Sequence, residues 1–311
     1  MSFLRKQESC SIAGFRLALR CGRNDNNQYM KHMLLIFSHP DDESFSVGGT
    51  VARYAKDGWH IRLLVATNGE KGASSLYPGI SEKALGLKRQ EEVKRAAAVL
   101  GIEHVDFLEF PDLGLKDLTP GTLEDPIYAS MKTFLPDIVI THDPTGITNH
   151  PDHTKVCYAA TYAFQKYAAY LSNLQDKEQL TKGRGKLWRQ EEYMRTFGDA
   201  QSLSKEPKLY YVCLPQRSVN FLLKEKQISE ESFGKPWKGV PDKNITTVID
   251  ITSTQLIKGK ALLCHETQAE EVDQFISFAQ NPEVKQECFI LRMQGIFEVY
   301  MGKTDRFANA L

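Results

Sequence analysis

Met33-Leu34-Leu35-Ile36-Phe37 runs directly into Ser38-His39-Pro40-Asp41-Asp42-Glu43, and this junction decides how the rest of the chain is read. A short, uninterrupted apolar run marks a strand covered on both faces, as in a parallel sheet. After the polar turn, the pattern predicts a helix from about Phe45 to Lys56, ending near Gly58. The cycle then repeats with a strand from His60 to Thr67, a Gly-rich turn at 68–72 and a helix of about Ser81 to Leu100, closed by Gly101. Leu85, Leu87, Val93, Ala96, Ala97 and Leu100 form the apolar stripe of that helix, with charge on its other face. Strand His104 to Phe110, helix Leu123 to Phe134 and strand Asp137 to His142 continue the series. Strands alternating with helices imply right-handed βαβ units and a mainly parallel sheet between two helical layers, a three-layer α/β sandwich.

Further along, a helix is expected from about Pro151 to Tyr170. Beyond it, 171–208 reads as an inserted excursion rich in Lys, Arg, Glu and Gln, with the basic stretch Lys182 to Arg189 around Trp188. Strands at Leu209 to Leu214 and Thr246 to Ile251, helices near Ser253 to Glu266 and Ala269 to Phe278, and strand-like sequence from Cys288 to Met301 complete the reading. Residues 1–32, with five arginines and lysines against Glu8 and Asp25 in the first 29, lack the apolar core and cleavage site of a secretory signal; they read as an extension outside the fold. That leaves 33–311 as a single domain.

Composition narrows the function classes. The 39 basic and 39 acidic side chains of the 311-residue chain cancel, which removes the excess of Lys and Arg that phosphate neutralisation requires, so no nucleic-acid partner is expected. No apolar run approaches the roughly 18 residues of a membrane-spanning helix. Six scattered cysteines without a C-x-x-C pair suit thiols in a reducing cytosol, and a cytoplasmic location is expected. A homo-oligomer stays open.

In open α/β sheets the reactive groups gather on loops leaving the carboxyl ends of strands. One such loop is Ser38 to Glu43; another follows His142 and contains His150-Pro151-Asp152-His153. Capping of a helix N-terminus accounts for the carboxylates but not for the histidines. Two imidazoles and one carboxylate are the ligand set of a hydrolytic Zn²⁺ site with open positions; Fe²⁺ or another divalent ion is the alternative occupant. His142 reads as a packing residue at a strand end.

HPDDE after the first strand and HPDH after the fourth together resemble the LmbE/PIG-L family of metal-dependent N-deacetylases, a Rossmann-like α/β fold. Thr67-Asn68-Gly69-Glu70-Lys71-Gly72, Pro111-Asp112 and His265-Glu266-Thr267-Gln268 add to the likeness. The resemblance implies His39, Asp42 and His153 as metal ligands and Asp41 as the general base that activates water at the metal. It implies His150 as the group stabilising the oxyanion, with Asp152 behind it. Asn68, Glu70, Asp112 and His265 are the candidate substrate contacts; the other reading of Glu70 and Asp112 is capping of the turns that follow, and of His265 an ordinary helix residue beside Cys264. The implied reaction is hydrolysis of the acetamide of a small N-acetylglucosamine-type conjugate. Asn68 departs from the basic residue frequent in that turn. Two other readings are a hydrolase of a different amide, such as a thiol conjugate, and a non-catalytic metal-dependent glycan binder; an unligated base at Asp41 argues against the latter. The basic stretch around Trp188 reads as a solvated face.

Overall fold

The structure, a computed structural model, describes residues 31–182, 206–278, 281, 285–299 and 309–311. Strand β1 (His32–Phe37) lies at the centre of an eight-stranded sheet, one residue longer at its start than the apolar run indicates. β2 (His60–Thr67) and β3 (His104–Phe110) extend the sheet to one side, and β4 (Ile138–His142) and β5 (Lys208–Cys213) to the other, all parallel. Beyond β5 the sheet turns antiparallel through β9 (Gln286–Gln294), which also pairs β8 (Thr247–Asp250) and β10 (Phe297–Glu298). A two-stranded hairpin, β6 (Glu231–Ser232) and β7 (Lys235–Pro236), stands apart. The fold is therefore an α/β sandwich whose mixed sheet is mostly parallel.

Alternation along the strands divides the core in two. Leu34, Ile36, Leu64 and Val139 face helices α3 (Glu124–Phe134) and α4 (Pro151–Lys182), where Ile127, Met131, Val156, Phe164 and Tyr167 are buried. Met33, Leu35, Phe37, Leu63 and Ile140 face α1 (Asp42–Lys56), α2 (Glu82–Leu100) and α6 (Gln255–Leu262), meeting Val47, Val51, Val93, Ala97 and Ala261. Successive side chains of a strand point to opposite faces, so an unbroken apolar run is what two covered faces demand.

The start of α2 is capped by Ser81, whose Oγ accepts the Ala84 amide, and its end by Gly101 in the left-handed conformation, φ 83°. α4 continues through Lys182, past the end expected at Tyr170, and Leu171 is buried against the sheet. Most of the basic stretch after it, and all of 1–30, lie outside the described residues. Between β5 and β8 the chain forms α5 (Gln216–Lys224) and the β6–β7 hairpin; α7 (Ala269–Ser277) precedes β9. No helix among the described residues is long and apolar enough to cross a membrane.

Strand order β3-β2-β1-β4-β5 means the chain reverses direction between β1 and β4. The loops leaving these two neighbours diverge, and the crevice between them is where open α/β sheets bind ligands. Both histidine-containing loops open into it.

Candidate active site

The loop after β1 is bent sharply. Asp41, directly before α1, has φ 114°, a backbone region costly for any side chain. Its amide donates to Glu43 Oε2 (3.1 Å), and its carboxylate Oδ2 accepts from Arg89 Nη2 (2.9 Å). Arg89 also donates to the carbonyls of Pro40 and Gly69. Gly69, at φ 63°, has no room for a side chain: a Cβ there would come within 2.4 Å of Arg89 Nη1. Glu43 is held in turn by His265 Nε2 (3.0 Å) and the Ser44 hydroxyl (2.6 Å). The strained turn is thus fixed from both sides. Burial raises the Asp41 carboxyl to about 6, even with Arg89 beside it.

Next to it, Asp42, His39 and His153 converge. His153 Nδ1 lies 3.0 Å from the Gly146 carbonyl, which can only accept, so its proton belongs on Nδ1 and the Nε2 lone pair faces inward. The outer nitrogen of His39, Nε2, is 3.1 Å from Asp112 Oδ1 and 3.5 Å from Asp152 Oδ2, so the same reasoning leaves the Nδ1 lone pair inward. His39 Nδ1 and His153 Nε2 are 3.1 Å apart; Asp42 reaches the first at 3.6 Å and the second at 3.2 Å. Donors about 2.0–2.2 Å from a tetrahedral Zn²⁺ are separated by roughly 3.3 Å. Two lone pairs and a carboxylate facing one another at these distances repel unless a cation lies among them. Asp41, Asp42, Asp112 and Asp152 crowd the same space with Arg89 as the nearest fixed positive charge, which favours a cation further. The residues fit a divalent metal.

The carboxylates also act on the rings. Burial alone would lower His39, but Asp112, Asp152 and Asp42 hold it well above its ordinary value; burial would raise Asp42, but His153 and His142 keep it well below. His142, read from the sequence as a strand-end packing residue, stacks on His153 with ring centres 4.0 Å apart, and its Nε2 lies 3.3 Å from Asp42 Oδ2. It therefore supports two of the converging donors.

His150 faces the crevice, its ring 4.5 Å from those of His39 and Phe233. Its Nδ1 accepts the Asp152 amide (3.1 Å), leaving Nε2 as an N–H donor. Burial, with the His39 and His153 rings close by, pulls His150 down to about 3, so it is neutral. Asp152 stands behind His150 through its backbone amide alone: its carboxylate accepts the Leu113 amide (2.7 Å) and faces His39.

The structure disperses the expected substrate contacts. Asp112 lines the crevice, steadied by the Lys71 amide on Oδ2 (3.0 Å) and held at about 2 because His39 and that amide outweigh burial. Glu70 accepts the Asp112 amide (2.9 Å) and Asn68 accepts from the Gln90 side chain (2.7 Å); neither lines the crevice. His265 is 1% exposed behind Glu43, reaching the site through that residue and not through a ligand. What lines the cleft of about 650 Å³ instead includes Lys71, Gln227 and Gln268 for polar contacts and Phe233, Trp237 and Phe275 for stacking. Arg89 is the main residue sequence reasoning missed. Its signal was present: Leu85, Arg89 and Val93 share the four-residue spacing of one helix face, which puts the arginine on the buried side.

Comparisons with known proteins point to one family. The model of the PIG-L family, described as GlcNAc-PI de-N-acetylase, matches residues 34–164. A 1D-myo-inositol 2-acetamido-2-deoxy-alpha-D-glucopyranoside deacetylase 2 from Saccharopolyspora erythraea is 30% identical over 282 residues, 83% of this chain and 92% of that protein. A deacetylase of the same name, without the numeral, from Rhodococcus opacus is 26% identical over 286 residues, 84% of this chain and 89% of its own. With relatives matched over nearly their whole length, the chain belongs to the LmbE/PIG-L family. Among solved structures, N,N'-diacetylchitobiose deacetylase from Pyrococcus horikoshii superposes with a TM-score of 0.55 at 20% identity, covering 98% of both chains. The hydratase GalB from Pseudomonas putida KT2440 gives the same TM-score at 18% identity, covering 87% of this chain and 98% of its own. One architecture thus carries different reactions, and the reaction has to be argued from the site.

Proposed function

We propose that the protein is a zinc-dependent N-deacetylase of a small N-acetylglucosamine conjugate, with His39, Asp42 and His153 holding the metal. The observation that carries this reading is the convergence of His39 Nδ1, Asp42 and His153 Nε2 beside a half-buried Asp41 carboxylate held by Arg89. The names of the relatives, deacetylases of a glucosaminyl inositol, support the substrate class. Bound there, a divalent cation polarises the acetamide carbonyl and lowers the pKa of water.

Asp41 takes the proton of the attacking water and returns it to the departing amine. A base with a pKa near 6 suits both transfers, a contribution of roughly 10²–10⁴-fold. Arg89 holds one carboxylate oxygen and keeps Asp41 aimed. Neutral His150 donates its Nε2–H to the oxygen that becomes negative as the carbonyl carbon turns tetrahedral. Asp112 and Asp152 keep His39 in the tautomer whose Nδ1 is free. The cytoplasm is the proposed location, in keeping with six scattered cysteines that form no C-x-x-C pair in the sequence.

The test is release of primary amine from a panel of N-acetylglucosamine derivatives, using zinc-loaded protein, chelated protein and Asp41→Asn. Turnover that needs both metal and Asp41 is the expected result. Amine release from the chelated protein at the same rate would overturn the reading.

A further inference from the structure

The catalytic cleft adjoins a second cavity of about 270 Å³, and Phe45, Ile147, Leu222, Ile228, Trp237 and Phe275 line both. Its inner wall comes from β5 and α5, with Val212, Cys213, Ser218 and Phe221. Two charged groups border it, Lys258 and Glu287, and they satisfy each other at 2.7 Å. Lys258 Nζ also donates to the Phe45 carbonyl (2.7 Å), and Glu287 accepts the amides of Gly49 (2.9 Å) and Thr50 (2.7 Å). The charges on this lining are therefore directed into the protein. A hydroxylated ligand part placed here would lose its water with little in return, whereas an apolar one gains by leaving water.

We infer that this cavity receives an apolar arm of the substrate, alkyl or aryl, while the amide lies against His39, Asp41 and His150. The inference rests on the deacetylase reading and narrows it: the substrate is amphiphilic, unlike a conjugate whose aglycone is a polyol. An apolar arm has two sources, the group O-linked to the sugar or an N-acyl group longer than acetyl, and both present the same chemistry to Phe45, Trp237 and Phe275.

Two substrate series separate the sources. One keeps the N-acetyl group on methyl, butyl and octyl glycosides of glucosamine; the other keeps the methyl glycoside and lengthens the acyl chain from acetyl to butanoyl to octanoyl. With zinc-loaded protein, kcat/KM rises at least about tenfold from the shortest to the longest member of one series, against a ceiling of roughly fourfold per methylene. The series that rises identifies the arm. Ser218→Phe fills the cavity and brings the long-to-short ratio back toward one; Leu222→Trp serves the same purpose if the first variant does not fold by circular dichroism. Flat ratios in both series, with the short substrates turned over, overturn the cavity assignment and leave the deacetylase reading standing. If no member releases amine, the deacetylase reading falls, and calorimetric titration decides the cavity separately. Octyl glycoside binding at least about tenfold tighter than methyl, and losing that advantage in the filled variant, supports it; equal binding overturns it.

Discussion

At the scale of single residues, the site depends on which atoms hold protons. Asp41→Asn keeps the shape and the hydrogen-bonding oxygen toward Arg89 but removes the base. The expected loss is roughly 10²–10⁴-fold in kcat with zinc still bound at one per chain, checked by amine release alongside metal analysis. Loss of the metal together with activity would show Asp41 to be a ligand. The pH profile carries a sign of its own. Asp41 must be ionised to act, so kcat/KM falls as pH falls through its pKa; a bound cation only lowers that value, which puts the acid limb at or below about 6. A profile that climbs from pH 7 down to pH 5 would contradict the assignment. HPDDE and HPDH were legible in the sequence because no structural role asks for histidines and carboxylates so densely packed beside two strand ends. His142 was not, because it sits on a strand whose neighbours justify it as ordinary packing; the spacing of Arg89 to Leu85 and Val93 marks its buried side of α2 but not its partner. Only the fold shows that Arg89 turns inward to Asp41 and that His142 lies against His153.

Among elements, α1 matters most, since it starts at the proposed base and carries a proposed metal donor in its first turn. It is clamped from the far end of the chain: Glu287 on β9 takes the Gly49 and Thr50 amides, and Ile251 packs against Gly49. A Cβ at Gly49 would come within 2.5 Å of the Ile251 Cβ, so α1 can approach β8 only because the position is glycine. Gly49→Ala is expected to destabilise the fold by about 1–3 kcal/mol, the usual cost of overpacking, set against a helix-propensity gain of up to about 1 kcal/mol. Urea denaturation measures it, and a midpoint that rises would rule the clash out. The strands and helices from β1 to β4 were readable because two covered faces leave unbroken apolar runs and capped helices leave Ser81 and Gly101. α5 and the β6–β7 hairpin were not readable: nine residues and two-residue strands show too little periodicity. The far end of α4 was hidden because its composition turns polar while Leu171 is still packed on the core.

For the molecule as a whole, the fold gathers Asp41, Asp42, Asp112 and Asp152 at one crevice, where a bound divalent cation would relieve their mutual repulsion. Binding that favours only the folded state adds about 2.7 kcal/mol at one hundred times the dissociation constant. Removing the metal with a chelator is therefore expected to lower Tm by about 5–10 °C, restored on adding zinc and measured by differential scanning calorimetry. An unchanged Tm would mean that the donors converge without binding an ion. The architecture was legible as a whole, and the crevice could be located from strand ends alone. The pocket beyond it could not, since Phe45, Leu222, Trp237 and Phe275 meet only after α5 and α7 have folded back over β5. The clasp of Glu287 on α1 also has a consequence during synthesis. Both histidine motifs leave the ribosome well over a hundred residues before β9 does. Until then the growing chain holds every group of the reaction but not the clasp that locks the helix bearing its base. The proposed hydrolysis thereby waits on the synthesis of β9, and a chain released before it has the candidate groups without their lock.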